Sequence, residues 1–221
     1  RSSIERILQV AHNMEPYAKR LKRTRVLDGA VLANLFFEPS TRTRVSFSTA
    51  FKLLGGNVSE TVGMTSSSLS KGESLFDTAR VVSGYADAIA MRHPQAGSVA
   101  EFATGSLVPV INGGDGPNEH PTQALLDLLT IEKEMARQGR NVDGIHIAMM
   151  GDLRFGRTVH SLSKVLRLFN NITFTFIAAP ELAMPTEVLD LVSNAGHRIN
   201  IVNSLDGHIN ADVLYQTRIQ E

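Results

Sequence analysis

An alternation of two patterns constrains this chain more than any other feature. From Ala30 onward, short apolar runs trade places with stretches of helical periodicity. The runs fall at 31–37, 87–91, 108–111, 145–150, 172–178, 198–202 and 212–215, and 57–62 is a weaker candidate of the same kind. Helical patterns lie between them at 44–54, 73–85, 98–104, 121–136, 157–169 and 186–194. The clearest places Val159, Leu162, Leu166 and Phe169 on one face. An opening helix is read from Ile4, Ile7, Leu8 and Ala11, with Ser2 or Ser3 as its cap. Strand–helix alternation of this kind predicts an α/β fold with parallel sheet.

At 221 residues the chain is long for one domain and short for two ordinary ones. The best boundary is 132–144, where 137–144 is polar and glycine-containing. Two α/β domains are therefore expected, at 1–135 (including a linking helix at 121–136) and at 140–221. No internal repeat is visible. The Ser-rich segment 65–72 has no core-forming pattern and reads as a mobile loop.

Composition removes several chemistries. With no cysteine there is no disulfide framework, thiolate nucleophile, Cys-based zinc site or iron–sulfur cluster. The seven histidines show no ligand spacing, so no metal and no cofactor are expected. Basic and acidic residues balance at 22 each, which argues against a nucleic-acid partner. The basic stretch Lys19, Arg20, Lys22, Arg23, Arg25 reads as a solvated face or turn. No apolar stretch approaches the roughly 20 residues of a membrane span, and the start carries no apolar leader core. The chain opens on Arg1 rather than Met, which implies that some of the native N-terminus precedes it.

The most informative segment is Phe36-Phe-Glu-Pro-Ser-Thr-Arg-Thr-Arg-Val-Ser-Phe47. A strand ends at Phe37, Pro39 breaks it, and Ser40 or Thr41 can cap the helix that follows. Capping does not explain Arg42 and Arg44, because a helix N-terminus already carries about half a positive charge. Cations there make sense when an anion sits among them, and a strand–turn–helix start with hydroxyls and guanidinium suits phosphate. Arg92 follows another strand, and a Gly-rich turn leads from Asn112 to His120 and Gln123. Ligands of open α/β sheets bind outside the carboxyl ends of strands, which places these residues for the same task. His93 reads as structural. Gly151-Asp-Leu-Arg-Phe-Gly-Arg-Thr158 imitates a nucleotide P-loop, but Arg157 replaces the lysine and Asp152 puts an anion in the cradle. Arg157, at another helix start, suits a carboxylate instead.

Ser-Thr-Arg-Thr-Arg at 40–44 and His-Pro-Thr-Gln at 120–123 resemble the signature pair of the carbamoyltransferase family. Met91-Arg-His-Pro94, the 151–161 segment and Leu214-Tyr-Gln-Thr-Arg-Ile-Gln220 narrow the resemblance to its aspartate-specific branch, over nearly the whole chain. The resemblance implies transfer of the carbamoyl group of carbamoyl phosphate to L-aspartate, an early step of pyrimidine synthesis. It gives phosphate binding to Ser40, Thr41, Arg42 and Thr43 with Arg92 nearby. It places Thr43, Arg92 and His120 around the carbonyl oxygen and Gln123 on the carbamoyl amide. Arg157, Arg218 and Gln220 take the aspartate carboxylates, and Lys71, with Ser68, belongs to a loop that reaches a neighbouring subunit's site. It further implies a cytoplasmic homotrimer with shared sites, and regulatory or associated pyrimidine-pathway subunits as candidate partners. The family continues with a His-Pro-Leu-Pro segment and further helices absent from this sequence, so the second domain is expected to be incomplete. Two other readings stay open: a carbamoyltransferase for another amino acid such as ornithine, and a non-catalytic phosphate-binding or assembly module.

Overall fold

The structure, a computed structural model, describes residues 1–63, 72–204 and 210–218. These residues fall into two compact units, Arg6–Asn118 and Glu119–Glu221 joined by Arg1–Glu5. Each unit contains one four-stranded sheet, and every strand pairing is parallel.

Helix α1 (Ser2–Ala18) opens the chain. Only Leu8 of its expected apolar face is buried, and Ile7 remains 48% exposed. In the first unit the strands are β1 (Val31–Phe36), β2 (Asn57–Val62), β3 (Ala88–His93) and β4 (Val110–Asp115). Helices α2 (Thr41–Leu53), α3 (Leu75–Ser83) and α4 (Ser98–Gly105) connect them. The sheet order is β2-β1-β3-β4. Central β1 and β3 are buried almost throughout, whereas edge strand β2 is mostly exposed. That contrast is why β1 and β3 read as continuous apolar runs and β2 did so weakly. The core joins Ala33, Leu35, Phe37, Ile89 and Met91 of the sheet to Ala79, Val99 and Phe102 of the helices.

One strand is displaced from its apolar run. β4 extends through Asn112-Gly-Gly-Asp115, the stretch expected to be loop. Backbone pairing explains it: Met91 lies opposite Asn112 and His93 opposite Asp115, with a register irregularity between them. A side chain at Gly113 would crowd Met91 O and the Phe36 ring, so the ladder continues here on residues with little apolar content.

The second unit has β5 (His146–Met150), β6 (Thr173–Ile177), β7 (Arg198–Val202) and β8 (Val213–Gln216), in the order β7-β6-β5-β8. Its helices are α5 (Pro121–Arg137), α6 (Arg157–Leu166) and α7 (Thr186–Ser193). Val159, Leu162 and Leu166 are fully buried and Phe169 nearly so, as their spacing predicts. α5 buries Ala124, Leu128, Ile131 and Met135 and packs on α6. By packing, α5 therefore groups with the second sheet, whereas the polar break at 137–144 suggested attaching it to the first.

Candidate active site

Strand order fixes where a ligand can sit. In the first sheet the chain leaves β1 toward β2 on one side and reaches β3 on the other, so the order reverses between β1 and β3. Helices leaving the strands on either side of such a switch point open a crevice at its carboxyl ends. Phe36 lies in register with Arg92, and the Phe37 N–H donates to Arg92 O at 2.9 Å. The Ser40–Thr43 helix start and Arg92 therefore leave the carboxyl ends of adjacent strands.

Ser40 occupies the N-cap of α2 with extended backbone, yet its hydroxyl makes no capping bond. No acidic residue stands in the first turn of α2 to offset the macrodipole. Thr41 and Arg42 are exposed, and Ser40 and Thr43 are half-buried. A helix start with donors and positive charge turned to solvent suits an anion. Arg44, offered by the sequence as a second anion ligand, is used otherwise. It pairs with Glu60 of β2 at 2.5 Å, and Glu60 also accepts from Ser48 Oγ. That hydroxyl, with Arg44, holds the Glu60 carboxyl below its usual range. Asn34, buried in β1, donates to Arg44 O at 3.1 Å and to Ser48 Oγ at 3.0 Å, tying the strand to the first turns of α2.

Arg92 is only 9% exposed. Its Nε donates to Glu38 Oε1 at 2.5 Å and its Nη1 to Gly113 O at 3.5 Å. A guanidinium braced in this way keeps a fixed direction. His93, the next residue, is structural as read. Its Nδ1 accepts from the Gln95 N–H and its ring meets Phe37 edge-on, while burial lowers its pKa.

The second sheet reverses between β5 and β8. Arg157 begins α6, which follows β5, and Arg218 lies just past β8. Gly151 (φ +109°) allows Thr217 to approach, and Thr217 N donates to Met150 O at 2.8 Å. Asp152 is fully buried and accepts the Phe155 N–H at 2.9 Å, so a carboxylate fills the place that a nucleotide phosphate would need. His160 donates to Leu153 O across 2.7 Å, and burial keeps its pKa low.

His120 and Gln123 stand at the start of α5 in this same unit. His120 is the buried N-cap, and its N–H donates to Ser161 Oγ at 2.9 Å. Ser161 in turn donates to Glu119, which also receives Lys164. Gln123 Nε2 donates to Asp127 Oδ1 at 2.9 Å. Ser68, Lys71 and Gln220 lie outside the described residues. Among the described residues no helix is long and apolar enough to cross a membrane, and no group of three or more His, Cys, Asp or Glu could hold a metal ion.

Sequence reasoning missed the residues that brace the site: Glu38, Glu60, Glu119, Ser161, Asp127 and Tyr215. Asp127 had a local signal, one helical turn beyond Gln123. Glu60, Ser161 and Tyr215 had none, since each reaches its partner across at least twelve residues of chain.

The fold defines a class: two α/β units, each built on a four-stranded parallel sheet with a switch point, and with arginines at or just beyond strand ends and at the starts of helices. The aspartate/ornithine carbamoyltransferase carbamoyl-phosphate-binding domain model matches residues 1–133, through most of α5. The aspartate carbamoyltransferase catalytic subunit of Cellvibrio japonicus is 64% identical over 222 residues, covering 100% of this chain and 66% of its own. Among solved structures, the catalytic subunit of M. jannaschii aspartate transcarbamoylase superposes with a TM-score of 0.89 at 48% identity, covering 100% of this chain and 71% of that one. Trypanosoma cruzi aspartate transcarbamoylase in complex with N-(phosphonacetyl)-L-aspartic acid gives 0.89 at 38% identity, covering 99% and 71%. The chain belongs to the aspartate/ornithine carbamoyltransferase family. It spans just under two thirds of the length of the curated relatives it matches first, 66%, 66% and 64%.

Proposed function

We propose that the protein transfers the carbamoyl group of carbamoyl phosphate to the amine of L-aspartate, giving N-carbamoyl-L-aspartate and phosphate. The observation that carries this reading is the α2 start. It has an unspent Ser40 hydroxyl, no acid in its first turn, an exposed Arg42, and a braced Arg92 at the adjoining strand end. The first relatives and the ligand-bound T. cruzi structure support the choice of substrates.

In this reaction Ser40, Thr41, Arg42 and Thr43 hold the phosphate. Thr43, Arg92 and His120 surround the carbonyl oxygen, which gains negative charge as the amine attacks, so fixed donors there stabilise the transition state most. Gln123 holds the carbamoyl amide. Arg157, Arg218 and Gln220 take the two carboxylates of aspartate, with Lys71 contributed alongside Ser68 by a neighbouring subunit. The nucleophile is the substrate's own amine, so no nucleophilic side chain is required. Holding both substrates in attack geometry can supply about 7–11 kcal/mol in favourable cases. The same reading makes the protein a cytoplasmic homotrimer, open to regulatory or pathway subunits; its mass in solution checks the trimer.

The test is a product assay in protein extended to the length of its relatives, with L-aspartate and L-ornithine offered in parallel. Product from aspartate alone is expected. Turnover with ornithine only, or phosphate binding with no transfer to either amine, overturns the proposal.

A further inference from the structure

Gln123 is held from behind by a partly buried acid. Asp127 lies one turn further along α5 and accepts Gln123 Nε2 on Oδ1 at 2.9 Å. Its other oxygen, Oδ2, accepts the Tyr215 hydroxyl of β8, also at 2.9 Å. The chain thus ties the first turn of α5 to the strand that leads to Arg218.

A carboxylate can only accept hydrogen bonds. The amide atom that Gln123 turns toward Asp127 must therefore be its nitrogen, and its carbonyl oxygen must face away. An amide with no such partner could present either end. Burial raises the Asp127 pKa, and it pushes the Tyr215 phenol up to about 12, so the phenol stays a donor at neutral pH.

We infer that Asp127 and Tyr215 are positioning residues that fix the amide of Gln123 with Oε1 outward, making it an acceptor that selects an N–H₂-bearing carbamoyl group over an acyl group of the same shape. This rests on the proposed reaction for the placing of Gln123 beside the carbamoyl amide. What it adds is the cause of that placing and its consequence for selectivity. A methyl group in place of the amino group would leave Oε1 without a donor, and a site built around a polar contact discriminates against the analogue that lacks it.

The probes are phosphonacetamide and acetonylphosphonate, which share a phosphonate and a carbonyl and differ as –NH₂ against –CH₃. Their Kd values are measured by calorimetry on protein of the relatives' full length. The unsubstituted protein should bind phosphonacetamide about tenfold or more tightly than the methyl analogue, the scale of one well-placed hydrogen bond. Asp127→Asn, which lets the amide turn over, should reduce that ratio about fivefold or more while the acetonylphosphonate Kd moves less than about twofold. Tyr215→Phe should shift the ratio in the same direction by a smaller factor. It keeps the ring's packing and so decides the matter should the first variant fail to fold. A parallel loss of both affinities, the mark of a merely structural role, would overturn the inference, as would an unchanged ratio. Absence of product with aspartate would instead strike the proposed reaction, and the binding ratio would still decide the role of Asp127 and Tyr215.

Discussion

Gly151→Ala should damage both the fold of the second unit and the proposed amino-acid subsite. Gly151 has φ +109°, and a Cβ there would lie 2.4 Å from Thr217 O and 2.7 Å from Thr217 Oγ1, inside the 3.0 Å that real Cβ contacts respect. An L-residue in this backbone region costs about 1–2 kcal/mol. The clash adds to it, because Thr217 must retreat from the bond its N–H makes to Met150 O at 2.8 Å, worth about 0.5–1.5 kcal/mol. The expected total is about 1.5–3.5 kcal/mol. Gly144 supplies the control: it has φ +79° and nothing within 4 Å of its Cβ position, so Gly144→Ala should cost the strain alone. Urea midpoints followed by circular dichroism measure the difference, which should be about 0.5–1.5 kcal/mol. Arg218 follows Thr217 directly, so Gly151→Ala should also raise the KM for aspartate about tenfold or more. Equal costs at the two glycines would show that the approach of Thr217 contributes nothing.

Other outcomes follow from single contacts. Arg42→Ala should lower kcat/KM for carbamoyl phosphate about 10- to 100-fold, the loss of one charge-assisted bond. Arg44→Ala, which removes the partner of Glu60, should leave phosphate affinity within about threefold and cost at most about 1 kcal/mol of stability; equal kinetic losses would contradict the assignment. Phe102→Ala, emptying a fully buried site in the first core, should destabilise by about 3–5 kcal/mol in the same urea assay. Burial holds His160 below its ordinary value of 6.5, so the folded ring stays neutral where the unfolded ring takes up a proton. Stability from this residue is therefore full above that value and is lost as pH falls below it toward the folded pKa. His160→Gln should flatten the fall in stability between about pH 7 and pH 5, and an unchanged slope would refute the reasoning.

Residues legible in the sequence were those whose environment is local or uniform. β1, β3, β5 and β6 lie in sheet interiors, so most positions favour an apolar residue and the runs stand out. α6 announced itself because its apolar residues Val159, Leu162 and Leu166 share one face, while the other buried positions, His160, Ser161 and Ser163, are polar. Edge strand β2 and the Gly-rich part of β4 were harder, since backbone pairing rather than apolar content makes them strands. The candidate anion site was read from misplaced charge at a helix start. That same reasoning credited Arg44 to a ligand when its anion was Glu60, sixteen residues away on β2. Gln123 was visible as part of a motif, but the tie from Tyr215 to its brace spans eighty-eight residues and left no trace in the spacing.

The central claim is that this chain's two sets of residues serve one phosphate-bearing and one dicarboxylate substrate. The most direct test is calorimetry with N-(phosphonacetyl)-L-aspartic acid, which joins both groups in one molecule, on protein of the relatives' full length. Saturable binding at one site per chain is predicted, weakened about tenfold or more by Arg42→Ala and, separately, by Arg157→Ala. Binding that is absent, or that survives either substitution unchanged, would contradict the account.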